Sequence, residues 1–289
     1  MGQDILINGL INGSVYALLA IGFSLIFGVA RVVNIAHTAL YMTSAYLMYV
    51  GLIKWGLSAP LAILLAILVT VIAGLACYQL FIKPIREHES AVLIATIAVA
   101  MALQEVFLIE FKGHYLGVPA LATGYLVLAG VKVANQHLLA LGVAVVALIA
   151  TWFLLWRTKI GLGIRCTAQD REVANLMGIN VNREIMVALG ISVGMAAIAG
   201  AIVAPLKPID PHMWMRPLIM MLAIVVLGGL GSIKGSFIGS YILGFTEAAV
   251  VFAIPTGSFL KEPIALSIMI LVLLIRPEGL FGVAFEEER

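Results

Sequence analysis

Residues 157–183 read RTKIGLGIRCTAQDREVANLMGINVNR and lie between two apolar runs, each long enough to cross a membrane. The stretch carries Arg157, Lys159, Arg165, Arg171 and Arg183, five of the seventeen basic residues in the chain. Its middle predicts a short helix with its own stop signals. Thr167 followed three residues later by Asp170 resembles a capping box, with Asp where Glu or Gln is usual. Gly178 suits a left-handed C-cap. Between them Val173, Leu176 and Met177 fall at i, i+3 and i+4, an apolar stripe on an otherwise polar helix. A helix of about ten residues is marginal alone in water. The stripe therefore predicts docking against something outside the bilayer.

Working outward, the composition fixes the solvent. The 289 residues are 63% hydrophobic and only 11% charged, with mean hydropathy +1.12, whereas soluble chains run at about 25% charged. Such a chain needs lipid around it. A net charge of +2 is too mild to argue for nucleic acid, and the basic residues lie in the segments between apolar runs. Cys77 and Cys166 form neither a disulfide framework nor a zinc spacing. The N-terminus has no basic region of the kind that precedes a cleavable signal, so the first apolar run is read as a true span.

Nine apolar runs follow one another at 5–29, 35–53, 60–82, 91–111, 138–156, 185–206, 218–230, 236–254 and 263–275. Crossing a hydrocarbon core of roughly 30 Å takes about 20 helical residues. Most runs reach that length; 218–230 and 263–275 are short and predict tilted, broken or re-entrant segments. The runs are continuous rather than alternating in twos, which excludes a closed barrel. The prediction is an all-α fold: one polytopic inner-membrane helical bundle over 1–289, with eight or nine membrane segments and a cytoplasmic loop at 157–184. If all nine cross, Arg31, Lys83, Arg86, Arg157, Lys159, Arg165, Arg171, Arg183, Lys234, Arg276 and Arg289 share one side. Lys54, Lys112, Lys132, Lys207, Arg216 and Lys261 share the other. The positive-inside rule makes the first set cytoplasmic, which puts the N-terminus outside and the C-terminus inside. The outer loops at 112–137 and 207–217, rich in glycine and proline respectively, read either as docking or lid surfaces or as plain connectors.

No GxxxxGK[ST] loop occurs, so the chain does not hydrolyse ATP by that route, and no Ser/His/Asp, HExxH or paired-carboxylate spacing suggests an enzyme. No catalytic or metal site is assigned; Glu87, His88 and Glu89 read as a solvated cluster. Small residues at Gly9, Gly13, Ala17, Ala20 and at Gly194, Ala197, Ala201 have the spacing of close helix contacts. The glycines of LGGLGSIKGSFIGSYILG (227–244) argue against a single straight helix. A break at membrane depth marks either a translocation path or tight packing, and Gly229, Gly231 and Ser232 are placed on the path on that basis. Polar side chains inside apolar runs should face protein or a pore, which adds Asn12, Tyr16, Ser24, Asn34 and His37. Asn34 is read as capping the helix that opens NIAHTALYM, and His37 as a satisfied structural histidine rather than a ligand. Among the carboxylates, Glu110 reaches the outer interface, whereas Glu105 and Glu247 lie deeper, and Glu247 joins the residues placed on the path. Either could carry the coupling proton of an ion-coupled secondary transporter, the alternative reading.

Four pieces of the chain are similar to the LivH/LivM-type permeases of branched-chain amino-acid ABC importers, the LivH side in particular. They are INGSVYALLAIGFSLIFGVARVVNIAH (11–37) with TALYMTSAY (38–46), GLGIRCTAQDREVANLMGIN (161–180), LGGLGSIKGSFIGSYILG (227–244) and RPEGLFG (276–282). The resemblance implies that the polar stretch is the coupling helix seated in a groove of the ATPase. Its matching positions are Arg165, Gln169, Asp170, Ala174, Met177, Gly178, Ile179 and Asn180. It further implies two ATPase subunits holding ATP and Mg, with no cofactor on this chain. A homologous second permease would complete the pore, and a periplasmic binding protein would deliver a small solute, a branched-chain or related amino acid or a short amide such as urea. Thr38 and Ser44 depart from the pattern, standing where the family often has glycine.

Overall fold

The computed structural model describes residues 2–128, 131–254 and 257–282; Arg289 and Gly130 lie outside them. Each of the nine apolar runs falls on a helix. The long ones are α1 (Gly2–Ala30), α3 (Ala59–Cys77, continued as π and 3-10 turns to Ile85), α4 (Glu89–Phe111), α5 (Asn135–Arg157), α8 (Val181–Val203) and α10 (Ile233–Ala253). These six are long and apolar enough to cross a membrane. α2 (Ala36–Tyr49, continued as a π turn to Lys54), α9 (Met215–Gly228) and α11 (Gly257–Ile275) make up the nine. Two short helices, α6 (Lys159–Gln169) and α7 (Arg171–Leu176), form the polar stretch. A hairpin, β1 (Tyr125–Leu128) with β2 (Val131–Ala134), is the departure from all-α. It lies in the glycine-rich loop at 112–137, read from the sequence as a docking or lid surface or a plain connector.

The helices differ in how much they hide, and that orders the bundle. The apolar window of α1 is 78% buried and that of α8 67%, against 28% for α3 and α5 and 22% for α4. α1 is apolar on every side, as a helix inside a bundle must be. α3, α4 and α5 instead leave Leu64, Leu68, Ile72, Ile94, Met101, Ile109, Ile149 and Phe153 exposed, a surface suited to hydrocarbon.

α1 and α10 run antiparallel along most of their length, and glycine sets their separation. A Cβ on Gly244 would come within 2.6 Å of the Gly13 nitrogen, and one on Gly13 within 2.7 Å of the Tyr241 ring. α9 and α10 cross as closely, since Gly228 and Gly235 each occupy the space a Cβ on the other would need. Such contacts let helices associate where no hydrophobic force drives them together. Residues 227–244 are not a single straight helix, as the glycines predict, but the structure narrows where the break falls. Gly235, Gly239 and Gly244 sit inside the continuous α10, and the chain breaks only between α9 and α10, at residues 229–232. Gly229 and Gly231 have φ of +98° and +79°, left-handed values that favour glycine. The break is not at mid-depth either, because Gly231 packs on Gly28, two residues from the end of α1. There the amides of Leu280 and Phe281 donate to the carbonyls of Leu227 and Gly228. The RPEGLFG segment thus satisfies carbonyls that α9 leaves open at its end.

The described basic residues sort to two ends as expected. Lys54 bonds Glu110, the Leu116 and Ile209 backbones pair, and Arg216 meets Glu262 at one end. At the other, Arg86 bonds Asn182, Arg171 bonds the Val29 carbonyl, and the C-terminal segment caps α9. Gly244→Leu should lower the midpoint of thermal unfolding in detergent, overpacking costing about 1–3 kcal/mol or more. Gly190→Ala, with nothing within 4 Å of its added Cβ, should leave it unchanged or raised, since alanine favours a helix interior by about 1 kcal/mol.

Candidate coupling surface and buried polar seam

The polar stretch is built as two helices rather than one. Thr158, not Thr167, opens the first: its hydroxyl accepts from the Gly161 amide at 3.1 Å. α6 folds back onto α5 so tightly that a Cβ on Gly161 would lie 2.3 Å from the Leu154 and Leu155 carbonyls. Thr167 is therefore inside α6 and buried, so it starts nothing. Asp170 is itself the cap of α7, its Oδ1 accepting from the Glu172 and Val173 amides at 2.9 and 3.0 Å. The expected C-cap is present. Gly178 has φ +81°, with the Gly178 amide on the Asn175 carbonyl and the Ile179 amide on that of Ala174. Asn180 then caps α8 by accepting from the Arg183 amide.

The eight residues of this stretch matched to the family pattern divide by their surroundings. Arg165, Gln169 and Met177 are exposed; the Arg165 guanidinium lies 4.5 Å over the Trp156 ring. Asp170, Gly178 and Asn180 make the caps. Ala174 is buried and Ile179 half-buried, so these two anchor the segment rather than offer it to a partner. On α7 and its C-cap the exposed apolar side chains are Leu176 (86%), Met177 (78%) and Val173 (53%). The i, i+3, i+4 stripe had marked all three. α7 is thus a capped turn and a half whose apolar tip is free to dock.

The second feature is a polar seam between α1 and α10. Ser14 bonds the Tyr241 hydroxyl, Ser24 bonds Ser236, and the Tyr16 hydroxyl donates to Glu247 Oε2 at 2.7 Å. Lys261 of α11 reaches Glu247 Oε1 at 2.7 Å, the carboxylate side chain 5% exposed and the ammonium side chain 24%. The sequence counts Lys261 only as a loop cation and has no signal for this pair, which spans two helices. Ser232 caps α10 through the Gly235 amide. His37 is fully buried between Gly22 and Ser192, its Nδ1 3.4 Å from the Ser192 hydroxyl. Asn34 makes no cap hydrogen bond, since α2 starts at Ala36 with Ile35 as its cap. Asn12, half-buried, lies one residue from the glycine contact. Tyr16, Ser24, Ser236 and Glu247 are brought together along the seam, whereas His37 faces α8 from α2 and Asn34 is buried in the turn before α2. Gly229, Gly231 and Ser232 sit in the turn at the far end of the seam from Glu247. Glu105 lies on the exposed face of α4, away from the seam, and its neighbour Gln104 turns inward to accept from the Trp214 indole at 2.8 Å.

A family model described as "Branched-chain amino acid transport system / permease component" matches residues 5–275. The chain belongs to this permease family. It is 32% identical over 294 residues to the high-affinity branched-chain amino acid transport system permease protein BraD of Pseudomonas aeruginosa, covering 96% of this chain and 94% of that one. To LivH of Escherichia coli it is 28% identical over 290 residues, covering 95% and 94%. A solved chain of PsaBC from Streptococcus pneumoniae in complex with Fab shares the fold, with TM-score 0.53 and 15% identity over 95% of this chain and 92% of that one. With the family fixed, the two departures from its glycine pattern can be placed: Ser44 bonds the Ala197 carbonyl of α8 at 2.6 Å, and Thr38 bonds back to Ile35. A hydroxyl thus ties α2 to α8, a contact glycine could not make.

Removing one partner of a buried pair leaves an uncompensated charge, at a cost of about 3–5 kcal/mol. Lys261→Met should therefore markedly lower the unfolding midpoint of the purified chain, and Glu247→Gln added to it should recover part of that loss.

Proposed function

We propose that this permease-family chain is one pore subunit of a binding-protein-dependent ABC importer, moving a branched-chain or closely related amino acid across the inner membrane. What carries the reading is the family match over nearly the whole chain, together with a capped helix whose apolar tip is exposed. The end bearing Arg31, Arg86, the polar stretch and Arg276 faces the cytoplasm by the positive-inside rule. The N-terminus is then periplasmic, the C-terminus cytoplasmic, and all nine helices cross. Two ATPase subunits, holding ATP and Mg, engage α6 and α7. A homologous second permease completes the pore, and a periplasmic binding protein delivers the solute to the end formed by the 112–134 and 204–214 segments.

The chemistry suits this division of labour. Along the seam the carboxylate of Glu247 is already taken by Lys261 and Tyr16, so few fixed charges remain to hold a solute. Specificity then resides in the binding protein. The family membership favours the importer over a proton-coupled secondary transporter.

Reconstituted with its partner subunits, the wild type should take up leucine only with ATP and loaded binding protein. Gly178→Pro puts a ring with φ near −65° where φ is +81°. Asp170→Lys removes the α7 cap, worth about 1 kcal/mol, and places a cation at a helix N-terminus. Both variants should assemble in the membrane yet lose most ATP-driven uptake while ATP hydrolysis continues. Undiminished uptake in both would overturn the assignment of α7.

A further inference from the structure

A groove of about 610 Å³ lies beside α7, lined by Arg86, Arg171, Glu172, Asn175, Asn180 and Asn182, among others. Three properties set it apart from an ordinary surface cleft. First, two guanidiniums, Arg86 and Arg171, line it against the single carboxylate of Glu172. Arg171 Nη2 is buried and has no hydrogen-bond partner, while its Nε is spent on the Val29 carbonyl at 3.0 Å. Burial pushes the Arg171 guanidinium below its usual range, and the like charges of Arg31 and Arg86 push it further, with Tyr78 opposing. Second, one wall is the first turn of the 23-residue α8, whose N-terminal end adds partial positive charge. Third, the turn bearing Arg86 follows directly on the lipid-facing end of the third span, where Leu80 and Phe81 stay 67% and 51% exposed.

α7 separates this groove from its apolar tip. At about 100° per residue, Arg171, Glu172 and Asn175 fall in one sector. Val173, Leu176 and Met177 fall in another, centred roughly 145° away. A partner seated on the tip therefore leaves the groove to a different ligand. The ligand must be anionic, accept several donors at once, and arrive along an apolar surface. We propose that the groove binds the phosphate headgroup of an acidic phospholipid, with Arg86 as a donor and Arg171 as a second positive charge beside it. Basic pockets at the cytoplasmic ends of membrane helices recognise such headgroups, and guanidinium suits phosphate because it can donate two parallel bonds. The lipid would tie the root of α7 to the ends of α3 and α8, making coupling depend on lipid composition.

The test uses the full-length chain purified in detergent with the subunits that accompany it, titrated with phosphatidylglycerol or phosphatidylcholine and read by native mass spectrometry. Phosphatidylglycerol should bind the more tightly. Arg86→Gln should weaken that binding about tenfold or more, the scale of one charged hydrogen bond, without altering phosphatidylcholine binding or gel-filtration behaviour. Arg157→Gln, at the end of α5 and outside the groove, should change neither. Equal binding of the two lipids, or no effect of Arg86→Gln, would overturn the proposal. So would displacement of the lipid by excess inorganic phosphate, which would mark a free-anion site. Loss of lipid binding whenever ATPase subunits are assembled would instead assign the arginines to that protein. Because binding is read directly, a failure here is distinguishable from a failure of the transport reading, which the leucine uptake assay tests.

Discussion

The backbone-to-backbone contact between α1 and α10 is the constraint on which the rest of this structure depends. Lipid offers no hydrophobic force to press one apolar helix on another, so association rests on close packing and on polar groups that find partners. Gly9, Gly13 and Gly244 provide the first; Ser14–Tyr241, Ser24–Ser236 and Tyr16–Glu247 provide the second. Because α1 also packs on α8, α5 and α9, a seam that holds α10 to α1 orders most of the bundle. The Lys261–Glu247 pair fastens α11 to the same seam. A core organised this way moves as a body.

That rigidity gives the polar stretch its meaning. α6 is folded hard against α5, α7 is tied to α1 through Arg171 and the Val29 carbonyl, and Asn180 starts α8 immediately after. A displacement applied at the exposed tip of α7 therefore has three covalent or hydrogen-bonded routes into the bundle, all within a few residues. In the proposed importer this short segment only has to transmit. Its caps satisfy the backbone groups a six-residue helix cannot satisfy internally.

Much of this was legible in the residues because it depends on local chemistry. Apolar length located all nine helices, basic residues separated the two ends, and the stripe at Val173, Leu176 and Met177 marked the exposed tip. Gly178 announced its left-handed turn. The misses share a different physics. Thr167 looked like a cap because a capping box is defined by spacing, yet Thr158 had already started a separate helix that buries it. The glycines of α10 looked like breaks because glycine is costly in an isolated helix, whereas here the close approach of α1 and α9 outweighs that cost. The ion pair of Lys261 with Glu247, the outward position of Glu105, and the convergence of Arg86 with Arg171 are tertiary facts. Lys261 and Glu247 sit on different helices, so no helical spacing signals their pairing.

The central claim is that α7 presents its apolar tip to a separate protein on the cytoplasmic side. Its most direct test places a single cysteine at Leu176, with Cys77 and Cys166 replaced by serine, and applies a membrane-impermeant maleimide to oriented vesicles. The cysteine should label in inverted vesicles stripped of ATPase subunits, become protected when those subunits are restored, and stay unlabelled in right-side-out vesicles. Labelling from the external side, or equal labelling with and without the ATPase, would contradict the account.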